Sequence, residues 1–188
     1  FTHHGPMART VEDAALSLDV MAGFHPRDPF SAPTNKDYHG AVDRGIDSAK
    51  IAYSPGMGIY PVDPGVQDVL DDAVTEFERA GAAVEEVDPD LEHTNDEIVE
   101  AFYTMATVRW QSLFDHLEDQ GFDPRGDDRD RLRPYLVDLI MDAEEPTTRE
   151  YKHADAVRTD LFDGLQDLFD EYDFLVTATL ATTAFPHG

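Results

Sequence analysis

A chain of 188 residues that is 41% hydrophobic can close a core of its own or a sizeable part of a larger one. Acidic residues outnumber basic ones 40 to 14, a formal charge of −26, and no basic stripe offsets this locally, so nucleic-acid phosphates and anionic lipid surfaces are repelled at low salt and disfavoured as partners. The absence of cysteine removes disulfides, thiolate metal sites and a cysteine nucleophile.

Thr10 followed by Asp13 reads as a variant capping box, and Val11, Ala14, Ala15, Leu18 and Met21 then recur at helical spacing until Gly23. Residues 24–48 are rich in Pro, Asp, Asn and Gly without sustained periodicity, which predicts a long connecting loop. Lys50-Ile51-Ala52-Tyr53 is a short strand ended by Ser54-Pro55-Gly56. Asp63-Pro64 opens a second helix with Val66, Leu70, Ala73, Val74 and Phe77 on one face, and Gly81 stops it. Ala83-Val84-Glu85-Glu86-Val87 follows as a strand, so the three elements make a βαβ unit with parallel strands.

The remainder is mainly helical. A helix from Asn95 to about Glu118 is expected to turn Ile98, Phe102, Met105, Val108 or Ala106, and Leu113 inward. The next helical stretch, near 128–142, is interrupted by Pro134. The last helix, from about Thr147 to Glu171, carries Ala154, Val157, Leu161, Leu165 and Leu168 inward, before a strand at Phe174-Leu175-Val176-Thr177. The acidic loop 121–130 is a weak internal boundary in what reads as one partial domain over 1–188. The chain begins at Phe1 and stops at Phe185-Pro186-His187-Gly188 without a closing element, which carries the expectation of a truncated segment. Exposed apolar surface and a homodimer are expected with it.

The run Gly5-Pro6-Met7-Ala8-Arg9-Thr10-Val11-Glu12-Asp13-Ala14-Ala15, with Leu18-Asp19-Val20-Met21-Ala22-Gly23 and Pro26-Arg27-Asp28-Pro29, resembles a turn and helix that follow the catalytic core of the amidase-signature family. Lys50 to Pro55, Pro61-Val62-Asp63-Pro64-Gly65-Val66, Gly81 to Val87, and Tyr172 to Thr177 with Ala184-Phe185-Pro186 are similar to successive segments of the same family, in the same order. The resemblance is thin across the helical region 91–147, where such families vary and shape their pockets. It implies an α/β fold, a partial mixed sheet with flanking helices. It also implies an amide hydrolase that turns a carboxamide or anilide into an acid and an amine or ammonia, using Ser, cis-Ser and Lys and no cofactor. That machinery is expected upstream: the chain has no Ser-Ser or Gly-Gly pair, and Ser17, Ser31, Ser48, Ser54 and Ser112 are scattered without a local base. No catalytic residue is therefore assigned within it.

The candidate substrate-binding residues are Thr177 and Thr179, in a loop after the last strand where open α/β sheets bind ligands, and Trp110, the only tryptophan, which core packing more readily explains. Adjacent His3 and His4 invite a metal, but neighbouring side chains diverge and no metal site is assigned. His93 with Asp96, Glu97 and Glu100 is read as a solvated face, and Arg9 at a helix start as half of a structural ion pair. The expected partner is a small-molecule amide. Two other readings stand beside the general amidase: the A subunit of a tRNA-dependent amidotransferase, from whose paired arginines and Tyr-rich stretch Arg131-Leu132-Arg133-Pro134-Tyr135 departs, and a non-catalytic scaffold piece.

Aspartate is about twice as frequent as glutamate, and the cations are arginines apart from Lys36, Lys50 and Lys152. Molar salt shortens the screening length to roughly 3 Å, so this composition predicts a halophilic, acidic protein whose carboxylates no longer repel one another. No apolar run approaches the roughly 18 residues that span a bilayer and no signal pattern opens the chain, so a soluble, cytoplasmic protein is expected.

Overall fold

The structure, a computed structural model, describes residues 5–184 and divides into two compact units that meet in sequence between Asp47 and Ser48. In the first, Thr10 caps helix α1 (Val11–Met21) by accepting the Asp13 N–H at 3.1 Å. Only Ala15 of α1 is buried, and Val11 and Met21 of the expected stripe are exposed. The loop beyond α1 is held by polar clasps. The Asp19 carboxylate accepts the Tyr38 and His39 N–H groups at 2.7 and 3.0 Å, which fixes a 3-10 turn at His39–Ala41.

The second unit is built on β1 (Lys50–Tyr53), which pairs in parallel with β2 (Ala83–Glu86) on one side and β3 (Phe174–Val176) on the other. Ile51 stands opposite Val84 and Phe174, and Ile51, Ala52 and Tyr53 are all buried, as a central parallel strand covered on both faces requires. The crossover is α2 (Pro64–Arg79), with Asp63 accepting the Gly65 N–H at 2.8 Å and Pro64 at its first position. Val66, Leu70, Ala73, Val74 and Phe77 form its half-buried face, so the expected βαβ unit is present.

Three helices complete the unit: α3 (Asn95–Asp119), α4 (Pro134–Met141) and α5 (Thr148–Glu171). Reciprocal capping boxes start α3 and α5, Thr94 with Glu97 and Thr147 with Glu150. Pro134 opens α4 rather than interrupting a helix, because the first turn needs no N–H from it. Residues 121–130 lie inside this unit, where Pro124 is fully buried and Arg125 pairs with Asp115 and Glu118 at 2.9 and 2.7 Å.

The inward face of α3 differs from the expectation. Phe102 is 60% exposed and Leu113 half exposed, whereas Phe114 is 2% exposed. Ile98, Ala101 and Met105 pack with Ala154, Val157 and Leu161 of α5, while Trp110, Phe114 and Leu117 pack with Val137 and Ile140 of α4. At about 100° per residue these two sets lie on nearly opposite faces. The helix thus serves two partners in succession, and a single stripe drawn along its whole length crosses from one to the other.

On α5, Ala154, Val157 and Leu168 are buried as expected. Its Gly164 lies against the chain that follows β2: a Cβ there would stand 2.0 Å from the Asp90 carbonyl oxygen. Only glycine permits that approach.

Candidate functional site

The carboxyl ends of the parallel strands gather the first candidate residues. Ser54, next after β1, is fully buried; its N–H donates to the Val176 carbonyl at 3.0 Å and its hydroxyl to Asp88 Oδ1 at 2.5 Å. From β3 the chain turns across this end. The Thr177 hydroxyl and the Ala178 N–H both donate to the Pro55 carbonyl, at 3.2 and 3.1 Å. The Asp63 N–H then donates to the Ala181 carbonyl at 2.8 Å, which ties the same loop to the start of α2. Thr177 is therefore half-buried and spends its donor on the backbone, whereas Thr179 is exposed and its side chain makes no hydrogen bond among the described residues.

Behind this end, the Tyr53 phenol donates to Asp71 Oδ1 at 2.5 Å and accepts from Gln67 at 2.8 Å, and Gln67 also reaches Asp71 at 2.9 Å. Burial, with the Asp71 carboxylate beside it, pushes the Tyr53 phenol well above its ordinary range; the same hydrogen bond holds Asp71 below the ordinary carboxylate range. A tyrosine that keeps its proton clamps the sheet to α2 and offers no general base.

Trp110 belongs elsewhere in the unit. It is half-buried against the Phe114, Val137 and Ile140 cluster and lines an open groove of about 470 Å³ between α3 and α4, a groove that includes neither threonine. Core packing and pocket lining are both true of it. Tyr103, Thr107, Tyr135, Asp138, Leu139 and Asp142 share the groove. A second groove of about 550 Å³ between α3 and α5 has an apolar floor that includes Ala101, Ala154 and Val157, with five glutamates, Arg149 and His153 also lining it. No cluster able to hold a metal ion occurs among the described residues.

The remaining candidates have more ordinary surroundings. His93 is tied down rather than solvated, because Asp160 of α5 meets its Nε2 at 2.9 Å while Glu97 lies 3.8 Å from Nδ1. Arg9 is exposed and makes no ion pair among the described residues, and it borders a shallow hollow together with Asp13. His3 and His4 lie outside the described residues. No histidine or lysine side chain hydrogen-bonds a serine hydroxyl among the described residues: Ser17 donates to the Asp13 carbonyl, Ser31 to His25 and Asp28 carbonyls, and Ser54 to Asp88.

Comparison with known proteins agrees with this architecture. The family model described as Amidase matches residues 1–188. The chain belongs to the amidase-signature family. It is 33% identical to the acylamidase of Rhodococcus erythropolis over 187 residues, covering 99% of this chain and 37% of that protein. It is 31% identical to the A subunit of the Carboxydothermus hydrogenoformans glutamyl-tRNA(Gln) amidotransferase, covering 98% of this chain and 41% of that one. Among solved structures, a bacterial aryl acylamidase of the amidase-signature enzymes superposes with a TM-score of 0.86 at 30% identity, over 95% of this chain and 36% of that chain. The A subunit of the Thermotoga maritima glutamyl-tRNA(Gln) amidotransferase shares the fold, with a TM-score of 0.58 at 22% identity over 96% and 38% of the two chains. The chain thus spans 37% to 41% of these curated relatives.

The amidase-family segment holds polar contacts that sequence reading missed: Ser54 with Asp88, Tyr53 with Asp71, and His93 with Asp160 are separated by 34, 18 and 67 residues. One signal was available. Gln67 and Asp71 are four apart on a helix that follows Tyr53 in a βαβ unit, so one helical face points both at the sheet.

Proposed function

We propose that this chain is part of an amide-bond hydrolase that converts a small carboxamide or anilide to an acid and an amine or ammonia. The Ser, cis-Ser, Lys relay and the glycine-rich oxyanion loop that the family resemblance implies are supplied by residues outside 1–188. Their division of labour is chemical: the first serine attacks the carbonyl, the bridging serine and lysine pass its proton to the leaving nitrogen, and backbone N–H groups receive the oxyanion. Segment 177–179 and the groove at Trp110 form walls of the substrate site, and residues 1–188 alone are inactive.

The observation that carries this reading is the close superposition on the aryl acylamidase, a TM-score of 0.86 at 30% identity, beside an acylamidase relative at 33% identity. The amidotransferase reading comes second, supported by a relative at 31% identity; the looser superposition, a TM-score of 0.58, ranks it behind. The discriminating assay offers the complete protein an anilide and glutamine. Release of arylamine without glutaminase activity supports the hydrolase, and the reverse supports the amidotransferase; turnover by residues 1–188 alone overturns the placement of the nucleophile.

The charge of −26 supports a salt-adapted enzyme without a nucleic-acid partner. No described helix is long and apolar enough to cross a membrane. The thermal midpoint should rise from dilute buffer to molar KCl, and an unchanged or falling midpoint refutes the adaptation.

A further inference from the structure

The groove between α3 and α4, which the hydrolase reading takes as one wall of the substrate site, also has a binding chemistry of its own. Tyr103 and Trp110 stand two turns apart on α3, and Tyr135 faces the same space from the first turn of α4, with Leu139 one turn further on. Asp138 on α4 and Asp142 at its C-terminal cap lie three and seven positions after Tyr135, and both line the groove. The two carboxylates differ. Asp138 is engaged by Arg129 at 2.5 Å, whereas the exposed Asp142 side chain makes no hydrogen bond or ion pair among the described residues. At about 470 Å³ the groove falls within the range of roughly 300–1,000 Å³ typical of small-molecule sites.

We propose that this groove binds small aromatic ammonium ions, the ring lying among Tyr103, Trp110 and Tyr135 and the ammonium group meeting the Asp142 carboxylate. Three aromatic rings offer flat apolar surface and negatively polarised faces, which favour an aromatic guest and a cation together. The free carboxylate fixes which end of the guest is charged and repels aromatic anions of the same shape. The connection between these helices already places cations over rings: Arg125 lies 5.3 Å from the centroid of Phe114 on α3, and Arg131 lies 4.7 Å from that of Phe122. Binding here is independent of whether the complete protein hydrolyses an amide.

Trp110 is the only tryptophan, so its fluorescence reports the groove without a label. Residues 1–188 are titrated with benzylammonium, cyclohexylmethylammonium, benzyl alcohol and benzoate in molar KCl, where attraction to the general acidic surface is screened within roughly 3 Å. Benzylammonium should give a saturable change, with the saturated amine and the neutral alcohol each about 10-fold weaker and benzoate without effect. Asp142→Asn should weaken benzylammonium about 10-fold and leave benzyl alcohol unchanged, and Tyr135→Ala should weaken both. Both residues are exposed, so neither variant threatens the fold. A response that rises without saturation, equal affinity for benzylammonium and either benzoate or the saturated amine, or an unchanged affinity in Asp142→Asn overturns the proposal.

Discussion

The βαβ part of the second unit and its helical part are held together in different ways. In the first, β1 is buried on both faces and every neighbour is aligned to it by backbone register, with Ser54–Asp88 and Tyr53–Asp71 locking the end of the strand to the segment after β2 and to α2. In the second, α3 divides itself between α5 and α4, and each contact rests on a small cluster of its own. A doubly covered strand admits one packing and leaves one kind of sequence signature. A long helix with apolar residues on every side admits several, and only its partners choose among them.

The sharpest way to break this comparison is to truncate α3 on its two candidate faces. Phe114→Ala removes a ring that is 2% exposed, and a loss of about 3–5 kcal/mol is expected from the lost burial and the cavity. Phe102→Ala, on a face 60% exposed, should stay within about 0.5 kcal/mol. Urea unfolding of both variants measures the pair, and a reversed ranking restores the single stripe that the periodicity of α3 proposes.

A smaller effect tests the join between the two parts. Gly164→Ala puts a methyl group where the Asp90 carbonyl oxygen stands, so α5 must shift from the chain after β2, at a cost of about 1–3 kcal/mol. Alanine ordinarily favours a helix interior over glycine by about 1 kcal/mol. Stabilisation by this variant would therefore show that the close approach is absent in solution.

The same contrast decides how much of the fold was legible in the sequence. The run Ile51-Ala52-Tyr53 and the proline and glycine that bracket α2 located the strands and the crossover, because local chemistry alone fixes where such elements start and stop. The order β2-β1-β3 agrees with the parallel βαβ unit read from that pattern. The side of α3 that turns inward, the reach of His93 to Asp160 and the bond from Ser54 to Asp88 were not legible, since each depends on a partner supplied by a distant segment. Of the candidate site, the position of Thr177 at the carboxyl end of the sheet was foreseeable from strand direction; the sharing of one groove by Trp110 and Tyr135 needed the fold of 120–134.

The helix starts give the next effect in size. Thr94→Ala and Thr147→Ala each remove a hydroxyl that accepts a first-turn N–H and meets a glutamate, and each should cost about 1 kcal/mol in thermal or urea unfolding. Both helices meet at the cluster around Ala101 and Ala154, so the double variant should cost about the sum if the caps act independently. A double variant no worse than either single one would mean that the two helix starts fray together as one unit.

The smallest effect concerns charge in those caps. Hydrogen bonds from the Thr94 and Thr147 backbone N–H groups, then from their hydroxyls, hold Glu97 and Glu150 below the ordinary glutamate range. A carboxyl group depressed in the folded state takes up a proton more readily when the chain unfolds. Its contribution is therefore fully present above the unfolded value and fades as pH falls through the folded one. Glutamine at either position keeps an acceptor for the N–H but carries no charge. The gap in urea midpoint between the natural chain and the Glu97→Gln, Glu150→Gln double variant should accordingly be widest near neutral pH and close below the glutamate range. It should persist in molar salt, because the charge acts through direct hydrogen bonds at 2.8 and 2.7 Å rather than across solvent. A gap that stays constant into acid would show that these caps are held by geometry alone.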